Sequence, residues 1–141
     1  MKFLVEIITP ERKVFSEEVD SVIVPTSRGA VGVLAHHMPL FSSLVEGEIK
    51  IIANGRDYFL AIGGGFMEVT KNVVSILVAR AFHADELNEA EIKRARGVAQ
   101  EAIKKGVKGD ELAAAQAILR RSVLEEKVLQ RRRHRPSALP S

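Results

Sequence analysis

The pattern of apolar and polar residues changes near residue 82. Up to Ala79, the apolar residues form short runs rich in Val, Ile and Phe, and Gly, Pro or Asn-Gly separate the runs. Such runs are typical of β-strands bounded by turns. From Asp85 to Arg133 the chain is rich in Ala and Glu, and its apolar residues recur at helical spacing. The sequence therefore predicts a β domain over 1–84, a helical domain over 85–133 and a flexible basic tail over 134–141.

The β part contains seven strand candidates and one uncertain segment. Asn54-Gly55 predicts a tight hairpin, because both central residues of a type I′ turn need a positive φ. Many short strands without a helix between them favour a β-sandwich or a flattened barrel. We expect Ser27 to Leu44 to be a structured loop that buries Val33, Leu34, Leu40 and Phe41. The strand candidates are 2–8, 12–15, 18–24, 47–53, 56–62, 65–70 and 73–79.

The second part predicts an antiparallel α-helical hairpin after a linker over 80–87. Asp85 or Asn88 is placed to cap the first helix and Asp110 to cap the second, with Gly106 and Gly109 around the turn. Ala dominates the facing stripes and buries little area, so we expect the helices to hold together weakly. The stripes are Ile92, Ala95, Ala99, Ala102 and Ile103 on the first helix, and Leu112, Ala115, Ile118, Leu119 and Val123 on the second.

Composition argues against several kinds of site. The chain has no Cys, so it has neither a disulfide framework nor a thiolate metal site. His36 and His37 are adjacent and so point to opposite sides of an extended chain, and no Cys or His cluster elsewhere completes a metal tetrahedron, so we predict no metal site. We also predict no catalytic residues, because no nucleophile has a recognisable base. The first strand is too short for an export signal, and no apolar run reaches the roughly 20 residues of a membrane span.

The formal charge of +3 is concentrated near the end of the chain. Arg120, Lys127 and Arg131 are spaced i, i+7 and i+11, which places them on one helix face that suits acidic groups. The basic run over 131–135 leaves open a small nucleic-acid-binding adaptor. No aromatic residues interleave with these arginines, which argues against nucleic acid as a partner.

Three motifs in order resemble the epsilon subunit of the F-type ATP synthase, called delta in mitochondria. The stretch 32–40, Gly-Val-Leu-Ala-His-His-Met-Pro-Leu, is similar to the family's Gly-x-Leu-Pro-x-His-x-Pro-Leu loop. The stretch 64–69, Gly-Gly-Phe-Met-Glu-Val, is similar to its Gly-Gly-Phe-x-Glu-Val strand. Leu112, Ala113, Ala115, Ala117 and Leu119-Arg120 match a pattern of its last helix. The resemblance covers Phe3 to about Lys127.

The resemblance implies a sandwich of about ten strands and a non-catalytic place in the rotating central stalk. It implies that the sandwich binds the gamma subunit and the c-ring and couples proton flow to ATP synthesis. The helices would inhibit ATP hydrolysis when they extend toward the alpha/beta subunits, with the row Arg120, Lys127, Arg131 facing acidic residues of the beta subunit. The expected location is the cytoplasmic face of a bacterial plasma membrane, held peripherally by the complex.

The resemblance also supplies two sets of candidate site residues. Some relatives bind ATP through an Ile/Leu-Asp-x-x-Arg-Ala motif, and here Glu91 replaces the Asp while Arg94 fits. Gln116 stands where relatives can carry an Arg, so we expect weak or absent ATP binding through Glu91, Arg94 and Arg120 and no other cofactor. The c-ring and gamma interface is expected at Arg28, Gly29, Ala30, His37 and Pro39, although Ala30 stands where relatives often carry an acidic residue.

Overall fold

The structure is a computed structural model that describes residues 1–35 and 38–134, with side chains through Arg131 in the last helix. It divides into two units, Met1–Ala84 and a second unit that begins at Asp85. The first unit contains ten strands. These are β1 Phe3–Ile8, β2 Lys13–Val19, β3 Ser21–Thr26, β4 Gly29–Leu34, β5 Leu40–Leu44, β6 Gly47–Ala53, β7 Arg56–Ile62, β8 Gly65–Val69, β9 Val73–Val78 and β10 Ala81–His83.

The ten strands form two five-stranded sheets, which confirms the predicted sandwich. Sheet A has the strand order β2-β1-β9-β8-β5, and sheet B has the order β10-β7-β6-β3-β4. Neighbouring strands are antiparallel except β1 and β9, which run parallel. Because side chains alternate across a strand, β1 buries Phe3, Val5 and Ile7 in the core and directs its other residues outward.

The expected loop over 27–44 is wrong for most of its length, since the segment contains β4 and β5. Both are edge strands, one in each sheet. Edge strands tolerate Gly and a neighbouring Pro because one side of their backbone needs no ladder partner. The expected burial holds for Val33, but Leu34 and Phe41 are each 65% exposed. The expected linker over 80–87 likewise contains a third short edge strand, β10.

Two glycine-containing segments behave as the sequence predicts. Asn54 and Gly55 have φ values of 54° and 77° and join β6 to β7 in a tight turn. Gly65 begins β8 where the chain has crossed from sheet B to sheet A. A Cβ there would collide with the carbonyl oxygen of Leu77 on β9 and lie 2.7 Å from the Cα of Val78. Only glycine permits this close strand approach.

The second unit contains two helices, α1 Glu89–Lys104 and α2 Asp110–His134, after a short 3-10 turn over Ala84–Glu86. Asn88 caps α1, because its side-chain oxygen accepts a hydrogen bond from the backbone N–H of Glu91 at 3.1 Å. At α2 the first helical hydrogen bond runs from Ala113 N to Gly109 O. Gly109 therefore occupies the cap position, and Asp110 lies in the first turn instead.

The two helices pack as an antiparallel hairpin, as predicted, but the buried stripe of α2 differs from the prediction. Ile118 and Val123 are exposed at 43% and 54%. Ser122 is buried, and Glu126 is half-buried. Residues shielded from solvent recur along α2 with alternating spacings of three and four, which is the seam of a packed helix. They are Leu112, Ala115, Leu119, Ser122, Glu126 and Leu129.

Within the described ranges, neither helix is long and apolar enough to cross a membrane.

Candidate functional site

Three large apolar side chains lie on the outer face of sheet A and form what we call the aromatic patch: Phe41, Phe66 and Leu77. Their exposed fractions are 65%, 51% and 50%. The rings of Phe41 and Phe66 stack with 5.5 Å between centroids and an interplanar angle of 29°. Contiguous exposed apolar surface on a small domain is typical of a protein interface, because leaving it in water is costly.

Strand register brings the aromatic patch together. Phe66 on β8 lies directly opposite Leu77 on β9. Phe41 on β5 lies opposite Glu68, which is two residues after Phe66 and therefore on the same face of β8. The Glu68 side chain is exposed. The outer face thus presents a stacked aromatic pair, a leucine and a carboxylate at the edge of the patch.

The inward residues of β8 explain why Phe66 points outward. Met67 and Val69 are buried in the sandwich core, and the alternation leaves Phe66 and Glu68 on the other face. The Gly-Gly-Phe stretch therefore has two roles, because Gly65 lets β8 approach β9 and Phe66 supplies exposed surface. Sequence reasoning identified the motif but did not assign Phe41, Phe66 or Leu77 to a site. The alternation of apolar residues on β8 and β9 carried a signal for Phe66 and Leu77, whereas Phe41 on β5 was expected to be buried.

The predicted c-ring and gamma interface residues lie in two places. Arg28, Gly29 and Ala30 are exposed at the turn from β3 to β4, where Thr26 Oγ1 accepts a hydrogen bond from Arg28 N and donates one to Gly29 O. Pro39 is exposed just before β5. The strand β4 runs away from the turn for its full length, so roughly 17 Å separates the turn from its far end. His37 lies outside the described residues.

The predicted nucleotide residues do not converge on one point in the hairpin. Glu91 and Arg94 are exposed in the first turns of α1. Glu126 on α2 contacts Arg96, which fixes the level at which the antiparallel helices face each other. Arg120 precedes Glu126 by six residues and so lies beside the far half of α1. At 1.5 Å per residue, it is displaced along the helix axis by about 12 Å from the level of Arg94.

The predicted basic row lies on one face of α2. Arg120, Lys127 and Arg131 are all exposed. Arg121, one residue after the first of them, makes an ion pair with Glu125 at 3.4 Å. The row therefore presents positive charge outward over residues 120–131 of the helix.

The seam between the helices contains an ion pair. Arg96 Nη2 contacts Glu126 Oε2, and the two side chains are 32% and 19% exposed. Arg96 Nε and Glu126 Oε1 are buried without a hydrogen-bond partner among the described residues. Ser122, one turn before Glu126, satisfies its hydroxyl by donating to Ile118 O at 2.8 Å. Ser122 thus takes the seam position predicted for Val123, and the charged pair lies outside the predicted stripes.

Among the described residues, no cluster of three or more His, Asp or Glu side chains is arranged to hold an ion.

A β-sandwich with an exposed aromatic patch, followed by a helical hairpin with a basic face, defines a two-part binding protein. Residues 2–84 match the family model described as ATP synthase, Delta/Epsilon chain, beta-sandwich domain. The chain is 42% identical over 135 residues to the ATP synthase epsilon chain of Herpetosiphon aurantiacus, covering 96% of this chain and 99% of that protein. The chain therefore belongs to the ATP synthase delta/epsilon chain family, and the resemblance seen in the sequence is confirmed.

A second relative agrees with this assignment, and two solved structures share the fold. The ATP synthase epsilon chain of Chloroflexus aggregans is 39% identical over 130 residues, covering 92% of this chain and 94% of that protein. A chain of the Euglena gracilis mitochondrial ATP synthase, OSCP/F1/c-ring in rotational state 1, has the same fold with a TM-score of 0.66 and 19% identity, covering 92% of this chain and 78% of that one. A chain of the Tetrahymena thermophila mitochondrial ATP synthase, central stalk/c-ring, also has this fold. Its TM-score is 0.57 and its sequence identity is 16%, and the match covers 92% of this chain and 97% of that one. These matches do not favour the nucleic-acid-binding alternative.

Proposed function

We propose that this chain is a non-catalytic subunit of the central stalk of an F-type ATP synthase and that it couples proton flow to ATP synthesis as part of the rotor. Its partners are the gamma subunit, the c-ring and, through the helices, the alpha/beta subunits. It is held at the cytoplasmic face of a bacterial plasma membrane by the complex alone. Membership of the ATP synthase delta/epsilon chain family supports this role.

The observation that carries the docking part of the proposal is the aromatic patch. Phe41 and Phe66 stack on a sheet face where they leave a large apolar area in water. Burial of that area against another subunit is favourable by about 25 cal/mol per Å². The neighbouring Glu68 carboxylate suits a partner surface that carries a Lys or Arg beside an apolar strip. We assign this surface to the gamma subunit.

The turn at Arg28 is assigned to the c-ring. The turn is exposed at one end of β4, whereas Pro39 lies beyond the other end. The same domain can therefore contact the c-ring at the turn and a second subunit near Pro39, without overlap between the two surfaces. The hairpin is proposed to inhibit ATP hydrolysis when it extends, with Arg120, Lys127 and Arg131 facing acidic groups of the alpha/beta subunits. Their shared exposed face supports that contact.

Binding to the gamma subunit of the same organism tests the docking assignment. We expect Phe66→Ser to weaken the affinity of the full-length chain at least about tenfold, because the removed ring belongs to the centre of the buried surface. Val98→Ser, which changes an exposed apolar residue on α1, is the matched control and should leave the affinity unchanged. If isothermal titration gave the parent chain and Phe66→Ser equal affinity for the gamma subunit, the aromatic patch would not be part of the interface.

ATP binding through Glu91, Arg94 and Arg120 is proposed to be weak or absent. The separation of Arg120 from the other two residues along the hairpin supports this. Titration of the full chain with ATP should give no saturable heat at millimolar nucleotide. Tight binding that is lost in Arg94→Gln would overturn the proposal.

A further inference from the structure

The contact between Arg96 and Glu126 differs from an ordinary stabilising ion pair. It joins one nitrogen of the guanidinium to one oxygen of the carboxylate. The remaining atoms that could complete a two-pronged pair, Arg96 Nε and Glu126 Oε1, are buried without partners among the described residues. A buried polar atom without a hydrogen bond costs free energy that a complete pair would recover. The pair therefore withdraws both groups partly from water while satisfying each of them only in part.

The apolar contribution differs on the two sides of the pair. Ala99 and Ser122 are the buried seam residues on one side, whereas Ile92 on α1 and Leu129 on α2 are buried on the other. A methyl group and a hydroxymethyl group bury far less apolar area than the Leu or Ile usual at such positions. On the side of Ala99 and Ser122, the hairpin thus depends on the charged contact for its alignment.

We infer that the Arg96–Glu126 pair is a release latch: it sets the register of the closed hairpin while adding little net stability, so the helices separate at low cost. Opening the hairpin returns both charged groups to water, which offsets the loss of their attraction. Removing only one partner leaves the other charge in the seam and is costly. Replacing both with apolar residues of similar size removes the free-energy cost of desolvating the two charges and so stabilises the packing between the helices.

The latch has a consequence for regulation that rests on the proposed function. An inhibitory hairpin must leave its closed state to reach the alpha/beta subunits, and the free energy of the closed state sets how often it does so. A partly satisfied ion pair keeps that free energy small while preserving one defined closed arrangement. The closed hairpin then has one defined register but still opens readily.

Hydrogen exchange of the α1 and α2 amides in the full-length chain tests the latch without any partner. Glu126→Gln should speed exchange of these amides about tenfold, because Arg96 loses its counter-charge. The charge reversal Arg96→Glu with Glu126→Arg should return the rates to within about threefold of the parent chain. The double replacement Arg96→Met with Glu126→Leu should slow exchange by about tenfold.

Two internal references keep the result interpretable. Amides of β6 and β7 should exchange alike in all variants, which shows that each one folds. Lys93→Gln breaks an exposed pair with Glu89 on α1 and should change helix exchange less than twofold. The latch is refuted if the charge reversal exchanges as fast as Glu126→Gln. It is equally refuted if the apolar double replacement exchanges faster than the parent.

ATP hydrolysis by complexes reconstituted with the same variants distinguishes the latch from the proposed inhibitory role of the hairpin. With the apolar double replacement, the hairpin should stay closed and hydrolysis should rise. Slower helix exchange together with unchanged hydrolysis would support the latch and contradict the inhibitory role of the hairpin.

Discussion

Gly65 lies against the backbone of Leu77 so closely that no side chain fits between β8 and β9. A Cβ on Gly65 would overlap the Leu77 carbonyl oxygen and lie 2.7 Å from Val78 Cα. Both obstacles are backbone atoms of a central strand, so they cannot rotate away. We expect Gly65→Ala to destabilise the sandwich by about 1–3 kcal/mol, as overpacking in a rigid core does.

Tyr58 reports this change directly, because it is the single Tyr of a chain without Trp and lies on β7. Urea unfolding followed by Tyr58 fluorescence should show a lower midpoint for Gly65→Ala. Gly64→Ala is the matched control, since its Cβ would approach only the Leu44 carbonyl oxygen, at 3.3 Å. Equal midpoints for the two variants would contradict the close approach of β8 and β9.

Lys13 controls the ionisation of Glu6 on the outer face of sheet A. The Lys13 ammonium lies 2.8 Å from Glu6 Oε2 and lowers the pKa of that carboxyl below its ordinary value, through the hydrogen bond first and the opposite charge second. A lowered pKa means that the pair stabilises the fold above the ordinary glutamate pKa of about 4.3. That contribution is lost as the pH falls through the Glu6 pKa in the folded protein.

Carboxyl titration by NMR checks this assignment. In Lys13→Gln, the pKa of Glu6 should move up toward its ordinary value. Lys71→Gln, in the turn between β8 and β9, should leave it where it is in the parent chain. An unchanged Glu6 titration in Lys13→Gln would show that Lys13 is not the cause.

Asn88 fixes the start of α1. Its side chain accepts a hydrogen bond from Glu91 N at 3.1 Å and so satisfies one of the free N–H groups of the first turn. We expect Asn88→Ala to destabilise the helix by about 1 kcal/mol, while Asn88→Asp keeps the acceptor and costs little. Hydrogen exchange of the Glu91 amide should be faster than in the parent chain for Asn88→Ala, but not for Asn88→Asp. Similar exchange in both variants would argue against the cap.

Removal of residues 88–141 tests the inhibitory role of the helices. The deletion leaves all ten strands of the sandwich, so the shortened chain should still fold and bind the gamma subunit. Hydrolysis of ATP by the complex should rise about twofold or more, because the inhibited population disappears. Normal assembly with unchanged hydrolysis would count against the hairpin as an inhibitor.

Local chemistry made much of the fold predictable. The Asn54-Gly55 turn and the alternating strands on either side of it were readable because both turn residues require a positive φ and the strands bury one face. The missed strands β4, β5 and β10 all lie at sheet edges. Edge strands have weaker patterns, because packing and hydrogen bonding constrain only part of each residue.

The helical seam shows a different limit of sequence reasoning. Apolar periodicity favoured Val123 at the interface, yet Ser122 takes that position. Ser122 is buried without penalty since its hydroxyl donates to the Ile118 carbonyl within the same helix. The ion pair of Arg96 with Glu126 was equally hidden, because charged residues on two separate helices show no shared period. The aromatic patch was missed because a pattern of exposed apolar residues does not reveal which surface a partner covers.

The parallel pairing of β1 with β9 has a consequence for how the protein is made. β1 lies between β2 and β9 in sheet A, so a nascent chain cannot complete this sheet until Val78 has left the ribosome. Closing so long a loop is slow, whereas a helical hairpin forms from neighbouring residues in microseconds to milliseconds. The fast-folding helices are therefore synthesised after the slow-folding sheet. The sheet becomes able to close only shortly before the helices emerge.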